Sequence, residues 1–386
     1  MINSESKVKL NLSVQKKNKS YIVGSTSNNT FIEVPKEAVT VIEYCDGNST
    51  VNEIKTNILK NENIDIDVLD FLQTLEELNL IYSIDDYKYE KDQKKEYPIS
   101  IIKLSKILFN KYTAILYSIL FLINSILIIF NRKLWPISDD AFFIEDRIGI
   151  NMLIFFLISW GITFIHELGH FLSVVRLNIN VKFSLNLRLI WLVIEADING
   201  LWSVEREKRY FSYLAGICFE TIIMFISIII KLNSINAMWN RITSMVILIL
   251  LLNFLWQFMI FLRTDLYLVL LTYFDMSSLY DYSKIYIKNR LSRSEENEQL
   301  KGLSSSEINY IKIFSLTYIG GVIFCGIRLF YEIPITLNII YSSLVQVING
   351  SLIIKIDGIL VIVVMAVSAL LWIKGAINKR ELKKEE

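Results

Sequence analysis

The feature that most constrains this chain is a series of long apolar stretches that fills its sequence from about residue 107 onward. Several of them reach the roughly 20 residues that a helix needs to cross a bilayer. With 53% hydrophobic residues and a mean hydropathy of +0.42, the chain is too apolar for an ordinary soluble protein. We predict an α-helical polytopic membrane protein with about six spans, near residues 107–131, 148–170, 210–230, 243–267, 312–330 and 357–373. Residues 335–349 are apolar enough to form a seventh.

Positive charge distinguishes the two sides of the membrane. Segments 172–210 and 274–312 carry six Lys and Arg residues each, whereas 132–147 and 231–242 carry three and two. By the positive-inside rule the first pair is cytoplasmic, as is the N-terminal region. Six spans keep both termini in the cytoplasm, while a seventh would place the basic C-terminal tail outside, so six is the better count. A composition rich in Lys, Asn and Ile, with four prolines, indicates the AT-rich genome of a low-GC bacterium. Together with the apolar spans, this predicts a location in a bacterial cell membrane.

Residues 1–95 predict a separate, small α+β domain of winged-helix-like type. Pro35 opens a helix, and Thr50-x-x-Glu53 is a capping box that starts the next one. The remaining predicted elements are strands at 21–23, 30–34 and 80–82, a turn at Asp46-Gly47 and a helix at about 66–78. Charged residues 85–95 predict a solvated, flexible segment. A linker at 96–106 then connects this domain to a membrane domain over 107–386.

The only two histidines, His166 and His170, stand four residues apart at the end of the second apolar stretch. On a helix this spacing places both imidazoles on one face, where they can share a metal ion, with Glu167 beside them as a base. This is the HExxH signature of zinc hydrolases. Ionisable groups in an apolar helix are costly and are functional by default. We predict a zinc site with His166 and His170 as ligands and Glu167 as the catalytic residue.

A catalytic zinc usually takes three protein ligands and leaves one position open for water. Because the chain has no third histidine, we expect a carboxylate or a cysteine. Span two runs from outside to inside, so the histidines fall near its cytoplasmic end, and Asp265 at the inner end of span four matches that depth. Glu220, in mid-span, is the alternative ligand, while Asp357 starts span six on the opposite side. A surface ion pair with Arg263 is the non-ligand interpretation of Asp265. The three cysteines lie far apart and are expected to be reduced packing residues.

This arrangement resembles the site-2 protease family of intramembrane zinc metallopeptidases, which place HExxH near the cytoplasmic end of one span and a ligand aspartate two spans later. It is more similar to bacterial putative peptide zinc metalloproteases encoded with ribosomally made peptides, through the stretch Arg263-Thr264-Asp265-Leu266-Tyr267 and the pair Ala215-Gly216. The N-terminal segment from Val34 to Ile81 is similar to PqqD-like domains, also called RiPP recognition elements. The resemblance covers most of residues 20–290.

The chain also departs from the family pattern. Met259-Ile260 replace a frequent Asn-Pro pair before the aspartate, and Leu266 replaces the glycine that often follows it. These changes leave the ligands intact but put substrate contacts near this segment in doubt. In an unbroken helix Asn253 would lie about 18 Å along the axis from Asp265. We therefore interpret Asn253 and Gln257 as residues that hydrogen bond between helices.

The resemblance implies peptide-bond hydrolysis, with zinc held by His166, His170 and Asp265, and with Glu167 moving a proton from water to the leaving amine. Segment 181–198 is β-rich and predicts a hairpin whose edge holds an extended substrate. An inert cytoplasmic hairpin is an equal alternative.

Two glycine positions predict close helix contacts. Gly169 either keeps the helix surface open beside the metal or packs against a neighbouring helix. Gly320-Gly321 in span five predicts a close contact within the protomer or between protomers.

Charge argues against a nucleic-acid partner. The whole chain has a net charge of +1, and the first 96 residues carry 12 Lys and Arg against 17 Asp and Glu, a net charge of −5. We expect this domain to bind a peptide substrate by strand addition, with a regulatory or structural domain as the alternative.

The predicted function is a membrane zinc endopeptidase that matures a small ribosomally synthesised peptide, or removes its leader, before export. The lipid bilayer and a peptide ABC exporter are the expected partners. Two alternatives stay open: a regulated intramembrane protease for a membrane-anchored regulator, and a non-catalytic accessory or immunity protein of a peptide exporter.

Overall fold

The chain divides into two compact units. The first comprises Met1–Phe109, Phe171–Phe183 and Ala196–Ser212, and the second comprises Asn110–His170, Ser184–Glu195 and Tyr213–Glu386. The computed structural model describes residues 2–17, 20–27, 29–85, 87–88, 97–136, 141–144, 147–292, 300 and 302–385.

The first unit contains a small mixed α+β arrangement at the N-terminus. Its elements are β1 Lys7–Lys9, β2 Ser13–Lys16, β3 Tyr21–Ser25, β4 Thr30–Val34, α1 Lys36–Tyr44, β5 Asp46–Thr50, α2 Val51–Glu62, α3 Val68–Glu77, β6 Ser83–Ile84, β7 Tyr87–Lys88 and α4 Ile99–Leu108. Strands β2, β3 and β4 form an antiparallel three-stranded sheet, and a second sheet has the order β5-β1-β6-β7.

Local sequence signals explain where these helices begin. Thr50 Oγ1 accepts a hydrogen bond from Glu53 N and Glu53 Oε2 accepts one from Thr50 N, so the predicted capping box starts α2. Apolar residues at helical spacing then point inward, and Ile54, Ile58 and Leu72 are fully buried in one core. The predicted strands at 21–23 and 30–34 and the helix after Pro35 are confirmed.

Three N-terminal predictions were wrong in detail. Asp46-Gly47 begins strand β5 instead of making a turn, because β1 pairs with it, and Gly47 accommodates this with φ +89. The strand expected at 80–82 lies at Ser83–Ile84. Of the predicted flexible segment 85–95, Tyr87–Lys88 pair with that strand as β7, and 89–95 lie outside the described residues. Strand β1 is short and charged, so no alternating pattern revealed its partners.

Neighbouring residues on α2 give a matched test of this core. Ile58 is fully buried and Leu59 is 48% exposed. We expect Ile58→Ala to lower the free energy of unfolding of the N-terminal elements by about 2–5 kcal/mol because it leaves a cavity. Leu59→Ala should change it by less than about 0.5 kcal/mol. Hydrogen exchange of the α2 and α3 amides in the full chain measures both values, and equal effects would contradict this core.

Within the described residues, six helical stretches are long and apolar enough to cross a membrane: Lys111–Phe130, Ile148–Val175, Arg206–Asn233, Ala237–Gln257, Ser305–Asn349 and Leu352–Glu381. This confirms a multi-pass α-helical membrane protein. The elements from residue 110 onward are α5 Lys111–Phe130, α6 Ile148–Val175, β8 Lys182–Arg188, β9 Trp191–Asp197, α7 Arg206–Tyr213, α8 Ala215–Asn233, α9 Ala237–Gln257, α10 Asp265–Phe274, α11 Leu279–Ser292, α12 Ser305–Asn349 and α13 Leu352–Glu385.

Two predicted spans differ from these helices. The fourth span ends at Gln257 instead of continuing to 267, and the chain starts a separate helix at Asp265. Residues 335–349 are not a separate seventh span, because they continue α12, a single helix of 45 residues that contains Pro334. A proline inside an apolar helix is tolerated where its surroundings satisfy the freed carbonyl, so it does not mark a boundary here.

Candidate metal centre

Three ligand atoms converge between α6 and the start of α10. His166 Nε2 lies 3.1 Å from His170 Nε2, and Asp265 Oδ2 lies 3.0 Å from the first and 3.3 Å from the second. Both histidines are at most 7% exposed. The structure therefore brings together the three residues that the sequence nominated as metal ligands.

The edges of this triangle suit a tetrahedral ion. Ligand bonds of 2.0–2.2 Å around a tetrahedral zinc separate neighbouring ligand atoms by about 3.3–3.6 Å, within a few tenths of an ångström of the observed distances. The donor set of two imidazoles and one carboxylate is one that zinc accepts. His166, His170 and Asp265 therefore fit a zinc ion.

Glu167 lies beside these ligands. Its carboxylate and the two imidazoles offer ligand atoms that all lie within 4.8 Å of one another, and this buried trio could hold a metal ion. Successive residues on a helix point about 100° apart, whereas residues four apart share a face. Glu167 therefore flanks the face that His166 and His170 share.

An interruption between helices α9 and α10 brings Asp265 to the two histidines. After α9 ends at Gln257, a 3-10 turn at Ile260–Leu262 and the left-handed residue Arg263 (φ 58) separate it from α10. Thr264 Oγ1 then donates a 2.7 Å hydrogen bond to the last carbonyl of α9, Gln257 O. Asp265 becomes the first residue of α10, where a carboxylate is favoured by the helix dipole.

Gln257 holds Asp265 through both ends of its amide. Its Nε2 donates to Asp265 Oδ2 at 3.1 Å, and its Oε1 accepts from Asp265 N at 3.1 Å. The predicted hydrogen bond of Gln257 between helices is therefore confirmed, but its partner was unexpected, because an unbroken helix was assumed and the structure separates α9 from α10. The signal was present: Thr264-Asp265 before an apolar run is typical of a helix start.

Glu220 lies on the other side of the His166 ring. Its Oε1 is 3.2 Å from Nδ1, the nitrogen that points away from His170 and Asp265, and it accepts a 2.9 Å hydrogen bond from Asn253 Nδ2. Glu220 is thus outside the ligand triangle. The expected bond of Asn253 between helices is confirmed, since it joins α9 to α8.

Asp357 lies far from the site, as predicted. Its Oδ1 accepts a 3.1 Å hydrogen bond from Ile150 N in the first turn of α6. Sixteen residues of helix, about 24 Å, separate Ile150 from His166. The three cysteines are free, and two of them are buried.

Two glycines allow α6 and α8 to touch at the site. A β-carbon at Gly169 would overlap the backbone of Ala215, and one at Gly216 would overlap the Nε2 edge of the His166 ring. Gly169 is therefore a helix contact, and the Ala215-Gly216 pair is its partner. Gly321 makes a similar close contact with the Phe261 ring, whereas Gly320 meets no described atom within 4 Å.

The predicted hairpin is present as β8 and β9, a two-stranded sheet. Near its tip Arg188 donates to Glu195 Oε2 at 2.5 Å and to Leu262 O at 3.1 Å. Burial alone would raise the pKa of Glu195, but the Arg188 guanidinium lowers it below its ordinary value. The hairpin is thereby fastened to the turn that carries Asp265.

Comparison with known proteins adds no relative. No protein-family model matches the chain, and neither a curated protein nor a solved structure matches it.

Gly216→Ala tests whether the helix contact sets the site. We expect the added methyl group to displace the His166 ring, lower the thermal midpoint and reduce the metal content measured by mass spectrometry, since overpacking costs about 1–3 kcal/mol. Gly161→Ala, also on α6, is the control, because no described atom lies within 4 Å of its β-carbon position. It should be neutral or slightly stabilising. A Gly216→Ala chain with unchanged midpoint and metal content would contradict this contact.

Proposed function

We propose that this chain is a membrane-embedded zinc endopeptidase that cleaves a small ribosomally synthesised peptide. The observation that carries the proposal is the convergence of His166, His170 and Asp265 within 3.0–3.3 Å, with Glu167 beside them. This set, buried among apolar helices, matches the composition of a catalytic zinc site that leaves one position open. Asp265 is proposed as the third ligand because its Oδ2 lies 3.0 and 3.3 Å from the two Nε2 atoms, while Glu167 flanks the face that the imidazoles share.

Different residues of the chain perform different parts of the proposed reaction. A zinc ion bound by the three ligands would supply Lewis acidity, lowering the pKa of water and polarising a peptide carbonyl. Glu167 accepts a proton from the attacking water and passes it to the leaving amine, the role of the non-ligand glutamate in this motif. Gln257 keeps Asp265 oriented through two hydrogen bonds.

The membrane arrangement supports access from the cytoplasm. His166 is the nineteenth residue of the 28-residue helix α6, about 27 Å from its start. The basic loops on the same side as the end of α6 favour a cytoplasmic site by the positive-inside rule. Six crossings then put both termini in the cytoplasm of a bacterial cell.

Two features support a peptide substrate. Proteolysis needs an extended chain, and hairpin β8–β9, fastened by Arg188 to the turn before Asp265, offers strand edges close to that turn. The acidic N-terminal region, with its β2-β3-β4 sheet, offers further edges and resembles a leader-binding domain. We propose that leader removal or maturation before export by a peptide ABC exporter is the reaction served.

Glu167→Gln tests the chemistry. We expect peptide cleavage to fall by about 10²–10⁴-fold, because the proton acceptor is lost, while zinc remains bound. The measurement is mass spectrometry of peptides encoded beside the gene, co-expressed with the wild type or the variant. If the peptide is still matured by the Glu167→Gln chain while zinc remains bound to it, the proposal that this chain is the enzyme is wrong. Unchanged peptides together with a shortened membrane-anchored regulator would favour the signalling protease.

Asp265→Ala tests the third ligand. We expect the variant to lose zinc during purification, since only two protein ligands remain. Asp357→Ala is the matched control, because this carboxylate caps the first turn of α6 and should leave the zinc content unchanged. Retention of stoichiometric zinc by the Asp265→Ala chain would exclude Asp265 as a ligand.

A further inference from the structure

Glu220 is a buried acid that the proposed chemistry does not use. It lies in α8, four residues after Gly216 and therefore on the helix face that touches His166, and it is only 6% exposed. A charged side chain at the centre of a membrane helix costs about 2.5–3.5 kcal/mol on insertion scales. An acid retained at such a cost needs partners, and the structure supplies two.

One oxygen of Glu220 contacts both partners. Oε1 accepts a hydrogen bond from Asn253 Nδ2 at 2.9 Å and lies 3.2 Å from His166 Nδ1. Nδ1 is buried and makes no hydrogen bond of good geometry with the described residues, so the approach of Oε1 is oblique. Among the described residues, no other carboxylate is paired with this nitrogen.

We propose that Glu220 is a positioning residue for the metal centre: its carboxylate accepts the Nδ1–H of His166, so that Nε2 presents its lone pair to the metal. Asn253 holds the carboxylate in place. A ligating histidine commonly donates its other N–H to a carboxylate in this way, which fixes its tautomer and ring orientation. The inference rests on the metal site of the proposed function.

The geometry separates this role from ligation. A third ligand must lie beside the nitrogens that face the metal, as Asp265 does at 3.0 and 3.3 Å from the two Nε2 atoms. Glu220 instead approaches the opposite edge of the His166 ring. The ring nitrogen that it contacts is Nδ1, and this nitrogen cannot bind the same ion as the Nε2 atoms of both histidines.

Helix α9 organises both supports. Asn253 and Gln257 are four residues apart, so their amides emerge from one face of the helix one turn apart. Asn253 holds the carboxylate that faces His166, and Gln257 holds Asp265 directly. Residues of a single helix, α9, therefore orient both Glu220 and the proposed ligand Asp265.

Zinc affinity in the full chain tests the proposal without relying on activity. The Glu167→Gln chain, in detergent, is titrated with zinc against a chelator, and with Co²⁺ to record its visible absorption spectrum. We expect Glu220→Ala to weaken zinc binding about 10–100-fold and to change the Co²⁺ spectrum. Glu220→Gln keeps an oxygen that accepts from Nδ1–H, so it should restore most of the affinity.

Asn124→Ala is the matched control. Asn124 is buried in α5 and donates a 2.9 Å hydrogen bond to Thr221 O, next to Glu220 but away from the histidines. We expect unchanged zinc affinity and an unchanged Co²⁺ spectrum. Asn253→Ala should weaken binding less than Glu220→Ala, and its effect should largely disappear in the Glu220→Ala background, because the two residues act through one contact.

The outcomes are separable. If Glu220→Ala binds zinc as tightly as its parent while Asp265→Ala does not, Glu220 only joins helices and the inference fails, with the proposed function intact. If Glu220→Ala and Glu220→Gln both abolish binding while Asp265→Ala retains it, Glu220 is the ligand and the inference is wrong. A parent chain that binds no zinc overturns the metal centre together with this inference.

Discussion

The structure of the second unit depends on how its carboxylates, buried among apolar helices, find polar partners. Each such group would be expensive without a partner, since neither lipid nor an aliphatic core solvates a charge. Around His166 the compensation is reciprocal: Glu220 and Asp265 approach opposite edges of one imidazole, at 3.2 and 3.0 Å. Helices α8 and α10 contribute Glu220 and Asp265 to this buried polar group, and α9 contributes the amides of Asn253 and Gln257 that hold them.

The interruption between α9 and α10 makes this compensation possible. A continuous helix would keep Gln257 and Asp265 about 12 Å apart along its axis, whereas the turn brings their side chains within hydrogen-bonding distance. The turn has its own supports, namely the Thr264 hydroxyl on the end of α9 and the Arg188 contact to Leu262. The helix is therefore interrupted at the point where the site needs Gln257 and Asp265 to approach each other.

Sequence alone identified much of this molecule, for physical reasons. Long apolar runs imply membrane helices, and the i, i+4 pair His166 and His170 implies a shared face, so neither needs tertiary information. The loop charges then set the direction of each span, and Asp265 was selected from the few acidic residues in apolar stretches because it matched the depth of the two histidines. The two hydrogen bonds between Gln257 and Asp265 were not predicted, because hydropathy does not reveal an interruption of a helix inside an apolar run. The role of Glu220 likewise depends on which edge of a ring it meets, which spacing along the chain cannot specify.

The contact between Gly216 and the His166 ring would link the proposed metal coordination to the thickness of the bilayer. Because backbone, and not a flexible side chain, touches the imidazole, no rotamer change can absorb a relative movement of the two helices. Membrane thickness adjusts the tilt of spanning helices at small energetic cost. A tilt of α8 against α6 would therefore be transmitted to the ring as a displacement. If the chain binds zinc as proposed, its affinity for the ion would depend on the lipid environment, and zinc binding measured in thin and in thick bilayers would differ even for an unaltered chain.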